Sequence, residues 1–386
     1  MPVVATGFSA APDRAAGTTL AARQARTGLG DAPCDLALVF LSGTYLEAPD
    51  EVLEQVAREL LPRELAGCTS GGLVAGGQEH EGVDGIAIWT ISAGHGGNVE
   101  VFELRTRPVE EGLALVGLPD PVPGAAMVLL ADPSHLPLEG TLRAFDEHLP
   151  GVPLVGGVPS TVPPDGRPLL RGTTSTDAAG LLVRFTGLEM LPLVSQGARP
   201  IGPELAVTAG EGGIIHELAG RPAIEALRET VDALGPEEQA RIRHGLLLGL
   251  VVGPGRPEYG SGDFVVRGLA GADPQAGAIA IGAPVEVGQI AQLHVRDPES
   301  ASSDLDEALR LRRAAAGSAA IAGALAFTCN GRGADMFGHA HHDADAIQRE
   351  LGPLPLAGMI SAGEIGPVGG RPFLHGFTTT MAIFLT

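Results

Sequence analysis

No lysine occurs among the 386 residues, and all 25 basic side chains are arginine. The absence removes every mechanism that turns on a lysine amine: a P-loop, a kinase-type phosphate lysine, or a Schiff base to pyridoxal phosphate. A base-composition bias of the genome is the plainest origin of it. Cysteine is scarce as well. Cys34, Cys68 and Cys329 cannot form a complete disulfide set and show no metal-ligand spacing, which fits a reducing cytoplasm. Basic runs are missing beyond Arg310, Arg312 and Arg313, and the net charge is −21. A chain that neutralises phosphates needs a clustered basic face, so no nucleic-acid partner is expected. Long apolar runs are missing too. The stretch Leu246–Val252 is interrupted by Gly249, and the N-terminus lacks a basic leader, the first arginine being Arg14. No membrane association and a cytoplasmic location are the expectation. Aromatics make up only 4% of the chain, so its cores must be built from Val, Leu, Ile and Ala.

What is present is glycine, 56 residues of it, and part of it falls in a pattern. Leu65–Gly72, Leu154–Ser160 and Leu356–Gly363 each run from an apolar stretch into a small-residue turn. Each is preceded by a strand-like run (Asp35–Leu41, Ala126–Ala131, Ala324–Cys329) and a one-sided helical segment. Each is followed by a β-branched run (Gly85–Ile91, Ala179–Phe185, Phe377–Phe384). Val52, Val56 and Leu60 mark the first helix face, Leu138, Leu142, Phe145 and Leu149 the second, and Ile347 with Leu351 the third. Three widely spaced copies of strand, helix, strand, glycine turn, strand point to a duplicated α/β architecture rather than a solenoid.

The chain exceeds the length at which one core stops growing. Two related α/β halves with mixed β-sheets packed by helices are expected, residues 1–217 and 218–386. In the second half a helix opens at Pro222, and strands are expected over Gly245–Val252, Phe264–Leu269, Ala278–Ile281 and Val285–Val295. Short turns such as Gly271–Pro274 require some antiparallel pairing there. Ser303 with Asp306 reads as a capping box for a helix reaching Ala316.

Five further stretches carry a family resemblance over almost the whole chain: Gly67–Gly72, Val194–Pro203, Glu217–Ala223, Cys329–Gly333 and Gly363–Pro367. In this joint order the sequence resembles the FIST proteins (F-box and intracellular signal transduction), with their FIST-N and FIST-C domains. The resemblance implies an intracellular, non-catalytic sensory module for a small polar ligand, amino acids among the candidates, and a signalling-protein partner. Some relatives bind haem and sense nitric oxide, so a haem-based gas sensor is the alternative it implies.

The candidate site residues follow from chemistry at strand ends. Cys329, Asn330, Gly331, Arg332 and Gly333 follow the strand-like run Ala324–Thr328, where ligands collect in open α/β sheets. Glycines there expose backbone N–H groups, and the Arg332 fork suits a carboxylate. Gly363 and Glu364 follow the third turn. Arg332 and Glu364 are expected to lie close together, either as a zwitterion clamp or as a buried structural pair. Ser70 and Ser361 occupy matching turns, and two such serines argue for hydrogen bonding within the turns rather than a nucleophile. Arg199 either braces the halves or reaches the ligand. His339, His341 and His342 with Asp343 form the one histidine cluster, without a CxxCH or HExxH pattern. Acyl transfer by Cys329 or Ser361 is a third possibility, with no identifiable base.

Overall fold

A computed structural model describes residues 1–110, 112–242, 246–253, 255 and 259–386. The chain forms two compact units. The first takes Met1–Val194 together with Asp306–Thr386, and the second takes Ser195–Leu305.

In the first unit one pairing scheme occurs three times. Leu36–Ser42 pairs parallel with Glu64–Thr69 and antiparallel with Gly85–Ser92. Ala126–Ala131 pairs parallel with Leu154–Pro159 and antiparallel with Gly180–Thr186. Ile321–Cys329 pairs parallel with Leu356–Val368 and antiparallel with Thr379–Leu385. The parallel crossovers run through the helices Pro49–Leu60, Leu138–His148 and His342–Leu351. In each parallel pair a glycine faces the preceding strand at closest approach. A Cβ on Gly67 would lie 1.9 Å from the Val39 carbonyl oxygen, on Gly156 1.9 Å from that of Leu129, and on Gly358 1.8 Å from that of Ala326. Only a residue without a side chain fits, which accounts for the glycine in all three stretches.

Strand alternation sorts these elements into layers. Leu36, Leu38 and Phe40 turn to one core, which they share with Val128, Leu130, Leu325, Phe327 and the single tryptophan, Trp89. Ala37, Val39 and Leu41 turn to the opposite face, against Ala21, Ala25, Val52 and Val56 of two helices. Met127, Leu129 and Ala131 likewise meet Leu138, Leu142 and Phe145. Two sheets therefore pack face to face, with helices on their outer faces. The second and third strand groups lie in one sheet, joined by antiparallel pairing of Leu154–Pro159 with Leu356–Val368.

The third stretch is not a turn. Leu356–Val368 is one continuous strand, and its register against Leu154–Pro159 shifts between Val158, opposite Gly363, and Pro159, opposite Ser361. A β-bulge there absorbs what the small residues suggested was a reversal.

The second unit is an antiparallel sheet that closes on itself. Arg199–Glu211 pairs with Ile290–Val295 on one side and with Ile214–Leu218 on the other. Leu246–Val251, Phe264–Asp273 and Ala278–Ile281 complete the circuit. Helix Ala223–Ala233 fills one side through Ala223, Ala226 and Leu227. Gly245, at the start of one expected strand, lies outside the described residues. Val285 precedes its strand, which begins only at Ile290. The helix reaching Ala316 starts at Pro298, not at Ser303. Asp297 accepts the Ser300 N–H at 2.9 Å, and a proline suits the first helical position, so this earlier cap prevails over the Ser303–Asp306 pattern.

Candidate functional site

Three strand ends of the first unit meet at one point. Glu64–Thr69 runs out into Ser70 and Gly71, Leu154–Pro159 into Ser160, and Ile321–Cys329 into Asn330. The Ser70 hydroxyl lies 2.7 Å from the Ile360 carbonyl, the Ser160 hydroxyl donates to that same oxygen, and the Gly71 N–H donates to Ser160 Oγ at 2.9 Å. Asn330 N–H donates to the Ser361 carbonyl at 2.8 Å. Beside this junction opens a cleft of about 200 Å³. Its lining includes Ser160, Thr328, Cys329, Asn330, Glu79 and Glu81. Thr328 is 1% exposed, and its hydroxyl has no hydrogen-bond partner among the described residues.

Arg332 lies under this surface, not on it. Its side chain is fully buried, and its fork meets Asp343 through Nε at 2.7 Å and Nη2 at 2.8 Å. Asp343 also accepts from the Thr379 hydroxyl at 2.5 Å and contacts His342 Nδ1 at 2.8 Å. Burial pushes the Asp343 carboxyl up, but the Arg332 charge and these hydrogen bonds outweigh it and hold the group well below the usual carboxylate range. Phe337 lies under the guanidinium, 5.3 Å from its centre.

Glu364 is buried as well. Its Oε2 accepts the Thr378 N–H at 3.2 Å, while Arg332 Nη1 approaches the Phe377 carbonyl at 3.5 Å. Those two atoms belong to one peptide group, so Arg332 and Glu364 grip opposite ends of the same peptide. Phe377, held in a left-handed conformation at φ 59°, donates its N–H to Cys329 Sγ at 3.1 Å. Burial and then the Glu364 charge push the Cys329 thiol up, away from the thiolate a nucleophile needs.

Glu79 and Glu81 carry no sequence pattern. They sit on the second strand of the hairpin Gly72–Ala75 and Gln78–Glu81, whose first strand pairs with Ala357–Met359. The hairpin thereby brings two carboxylates to helix starts that follow Cys329. Glu79 Oε2 accepts the Asp343 N–H at 3.0 Å at the head of helix His342–Leu351. Glu81 Oε1 accepts the Ala334 N–H at 2.9 Å. Burial, and then the Asp343 charge, raise the Glu79 carboxyl to about 7 against the lowering effect of the helix N–H groups and Arg332.

The remaining expected residues separate. Ser70 bonds within its turn, to the Gly72 carbonyl at 2.5 Å, while the Ser361 hydroxyl is buried without a partner among the described residues. Gly331 lies beneath the Phe377 ring, Gly333 abuts Glu81, and Gly363 faces Val158 in the bulge. Arg199 belongs to the second unit, 3.7 Å from Glu238. His341 Nδ1 takes the Glu79 N–H, and His342 stacks flat on Phe337 with ring centres 3.5 Å apart. These contacts direct His341 and His342 to packing at the helix start, while the His339 ring lies exposed against the Ala340 carbonyl. Among the described residues no group of three His, Cys, Asp or Glu is arranged to hold a metal ion.

A fold in which distant strand ends jointly build a polar cleft is what a ligand-receiving module requires, and sequence comparison supplies the class. The FIST N domain matches residues 35–221 and the FIST C domain residues 223–367. The chain belongs to the FIST family, whose domains are sensory domains of signal transduction. It is 41% identical over 386 residues to an uncharacterized protein of Mycobacterium bovis, covering 99% of this chain and 98% of that one. An uncharacterized protein of Mycobacterium tuberculosis H37Rv is 40% identical over 384 residues, with 99% of both chains covered. The cleft draws on both matched segments: Gly71, Glu79, Glu81 and Ser160 from the N domain, Thr328–Asn330, Gly333 and Ile360 from the C domain. No described helix is long and apolar enough to cross a membrane.

Proposed function

We propose that this protein is a non-catalytic sensory module that binds a small polar metabolite in the cleft between Ser160, Thr328–Asn330 and the Glu79–Glu81 strand. The observation that carries the reading is the Thr328 hydroxyl, buried without a partner among the described residues at the wall of a cleft that Glu79, Glu81, Ser160 and Asn330 also line. Buried polar groups normally find a partner, and a ligand supplies one. The same carboxylates that border the cleft cap two helices, so occupancy is felt at both helix starts. A signalling partner would read the change there. Catalysis by Cys329 is disfavoured by a raised thiol pKa.

A thermal-shift screen of amino acids, amines, sugars and small organic acids on the full chain tests the reading. Ligand at a hundredfold over its dissociation constant stabilises a fold by about 2.7 kcal/mol. A shift that disappears in Asn330→Ala supports the assignment. A screen in which nothing shifts the melting temperature removes it.

A further inference from the structure

The charges around the cleft are one-sided. Its lining contains two carboxylates, Glu79 and Glu81, and neither an arginine nor a histidine. Arg332, the cation closest in sequence to the cleft wall, is buried and spent on Asp343 through two short hydrogen bonds. Each carboxylate commits one oxygen to a helix N–H, Glu79 through Oε2 and Glu81 through Oε1. Two walls of neutral hydrogen-bonding groups face them: Ser160 and Asn330, with the Thr328 hydroxyl left over at 1% exposure.

From this arrangement we infer that the cleft selects small primary ammonium compounds lacking a carboxylate, held by Glu79 and Glu81 with Thr328 receiving a neutral polar group. The inference rests on the sensory reading above and narrows its ligand. An ammonium ion brings three donors to two carboxylates, and charge-assisted hydrogen bonds of this kind are about twice as strong as neutral ones. A free carboxylate on the ligand would enter the same small space with no cation to meet it. Like charge beside the two carboxylates is repulsive, and no basic side chain in the lining offsets it. The cleft thus disfavours the zwitterion expected from a clamp of Arg332 and Glu364, because neither residue lines it.

The test uses three two-carbon probes of matched size on the full-length protein: ethanolamine, glycine and glycolate. Titration calorimetry is run at mildly alkaline pH, above the raised Glu79 value of about 7. Ethanolamine is expected to bind about tenfold or more tighter than glycine, with glycolate not binding, a gap of about 1.4 kcal/mol. Glu81→Gln keeps an oxygen for the Ala334 N–H, so the fold is retained, and it should weaken ethanolamine about tenfold. Thr328→Val should weaken it less, and provides a second variant should the first misfold. Equal or tighter binding of glycine or glycolate overturns the inference. So does ethanolamine affinity unchanged in both variants, or ethanolamine failing to bind at millimolar concentration. If ethanolamine fails while another metabolite still shifts the melting temperature in the screen, the ammonium assignment falls and the sensory reading stands.

Discussion

Two acidic regions of the first unit lie side by side and are built to opposite ends. Around Asp343 every charge is answered from within: Arg332 from one side and the Thr379 hydroxyl from another, both buried, with the partly exposed His342 beside them. Around Glu79 and Glu81 each carboxylate gives one oxygen to a helix N–H, and the Thr328 hydroxyl at the same cleft has no partner among the described residues. A satisfied network rigidifies, whereas a half-satisfied one waits for something to complete it. The difference teaches that a conspicuous charged motif can be scaffold while plain-looking neighbours keep their polar groups open at a cleft.

The sharpest way to break that comparison is to remove one partner of the closed network. Arg332→Ala leaves the Asp343 carboxylate buried and unpaired, and should cost about 3–5 kcal/mol of stability by chemical denaturation. The paired replacement Arg332→Met with Asp343→Leu should recover much of that loss, since well-packed apolar groups often equal a buried ion pair. A single variant with unchanged stability would show that Arg332 belongs with the open region after all.

The next effect concerns the border between the regions, where Glu79 touches both. Facing it are Asp343, Arg332 and His341, with His80 and Glu81 following it along its strand. Its carboxyl rises from 4.5 to about 7 on folding, so the folded state holds the proton more tightly. The stability this adds is complete below about 4.5 and is lost as pH rises through about 7, at a slope of at most about 1.4 kcal/mol per pH unit. Glu79→Gln should flatten the stability profile over that interval in denaturation curves taken at several pH values. Asp343 acts in the opposite sense, since its carboxyl is held down, and its contribution is lost only in stronger acid.

A third change tests the scaffold below both regions. Gly358→Ala would drive a methyl group into the Ala326 carbonyl two residues before Ile360, whose oxygen binds Ser70 and Ser160. A loss of about 1–3 kcal/mol is expected, the usual range for overpacking. The same substitution at Gly352, where nothing lies within 4 Å of the added carbon, acts only through its positive φ of 80° and separates strain from collision.

Much of the scaffold was legible before any coordinates. The strand Ala126–Ala131 announces itself by an apolar run, Gly85–Ser92 and Thr379–Leu385 by β-branched ones, and the helices by one-sided faces at 3.6-residue spacing. Glycines at matching places in Gly67, Gly156 and Gly358 reflect a steric demand that local sequence records directly. The bulge in Leu356–Val368 was not legible, because small residues suit a turn and a bulged strand alike. Nor was the start of the helix at Pro298, where a local capping pattern at Ser303 competed with a better one at Asp297. For the site, Cys329, Asn330 and Gly333 stood out because glycine and polar groups follow an apolar strand, and they do line the cleft. Glu79 and Glu81 did not. Their place at the cleft comes from a hairpin pairing with a strand more than 280 residues later, and no local pattern encodes that contact. Asp343 stands in the sequence only as a neighbour of the histidine cluster, since the fold alone reveals its pairing with the buried Arg332.

The smallest effect is the most diagnostic of the open region. Thr328→Val exchanges a hydroxyl for a methyl group on the same β-branched frame in a central strand. If that hydroxyl were part of the scaffold, its loss would destabilise the fold by about 1 kcal/mol, the typical net worth of an intramolecular hydrogen bond. It has no partner among the described residues, so its burial is a cost that valine removes, and stability should stay level or rise by up to about 1 kcal/mol. Thermal melts without ligand read that sign directly. Repeating the melts with an excess of ethanolamine should then show a smaller ligand-induced shift than in the unmodified protein. A variant that is both more stable and less responsive is what a group reserved for a ligand predicts, because the cost carried by the empty fold is recovered only when the cleft is filled.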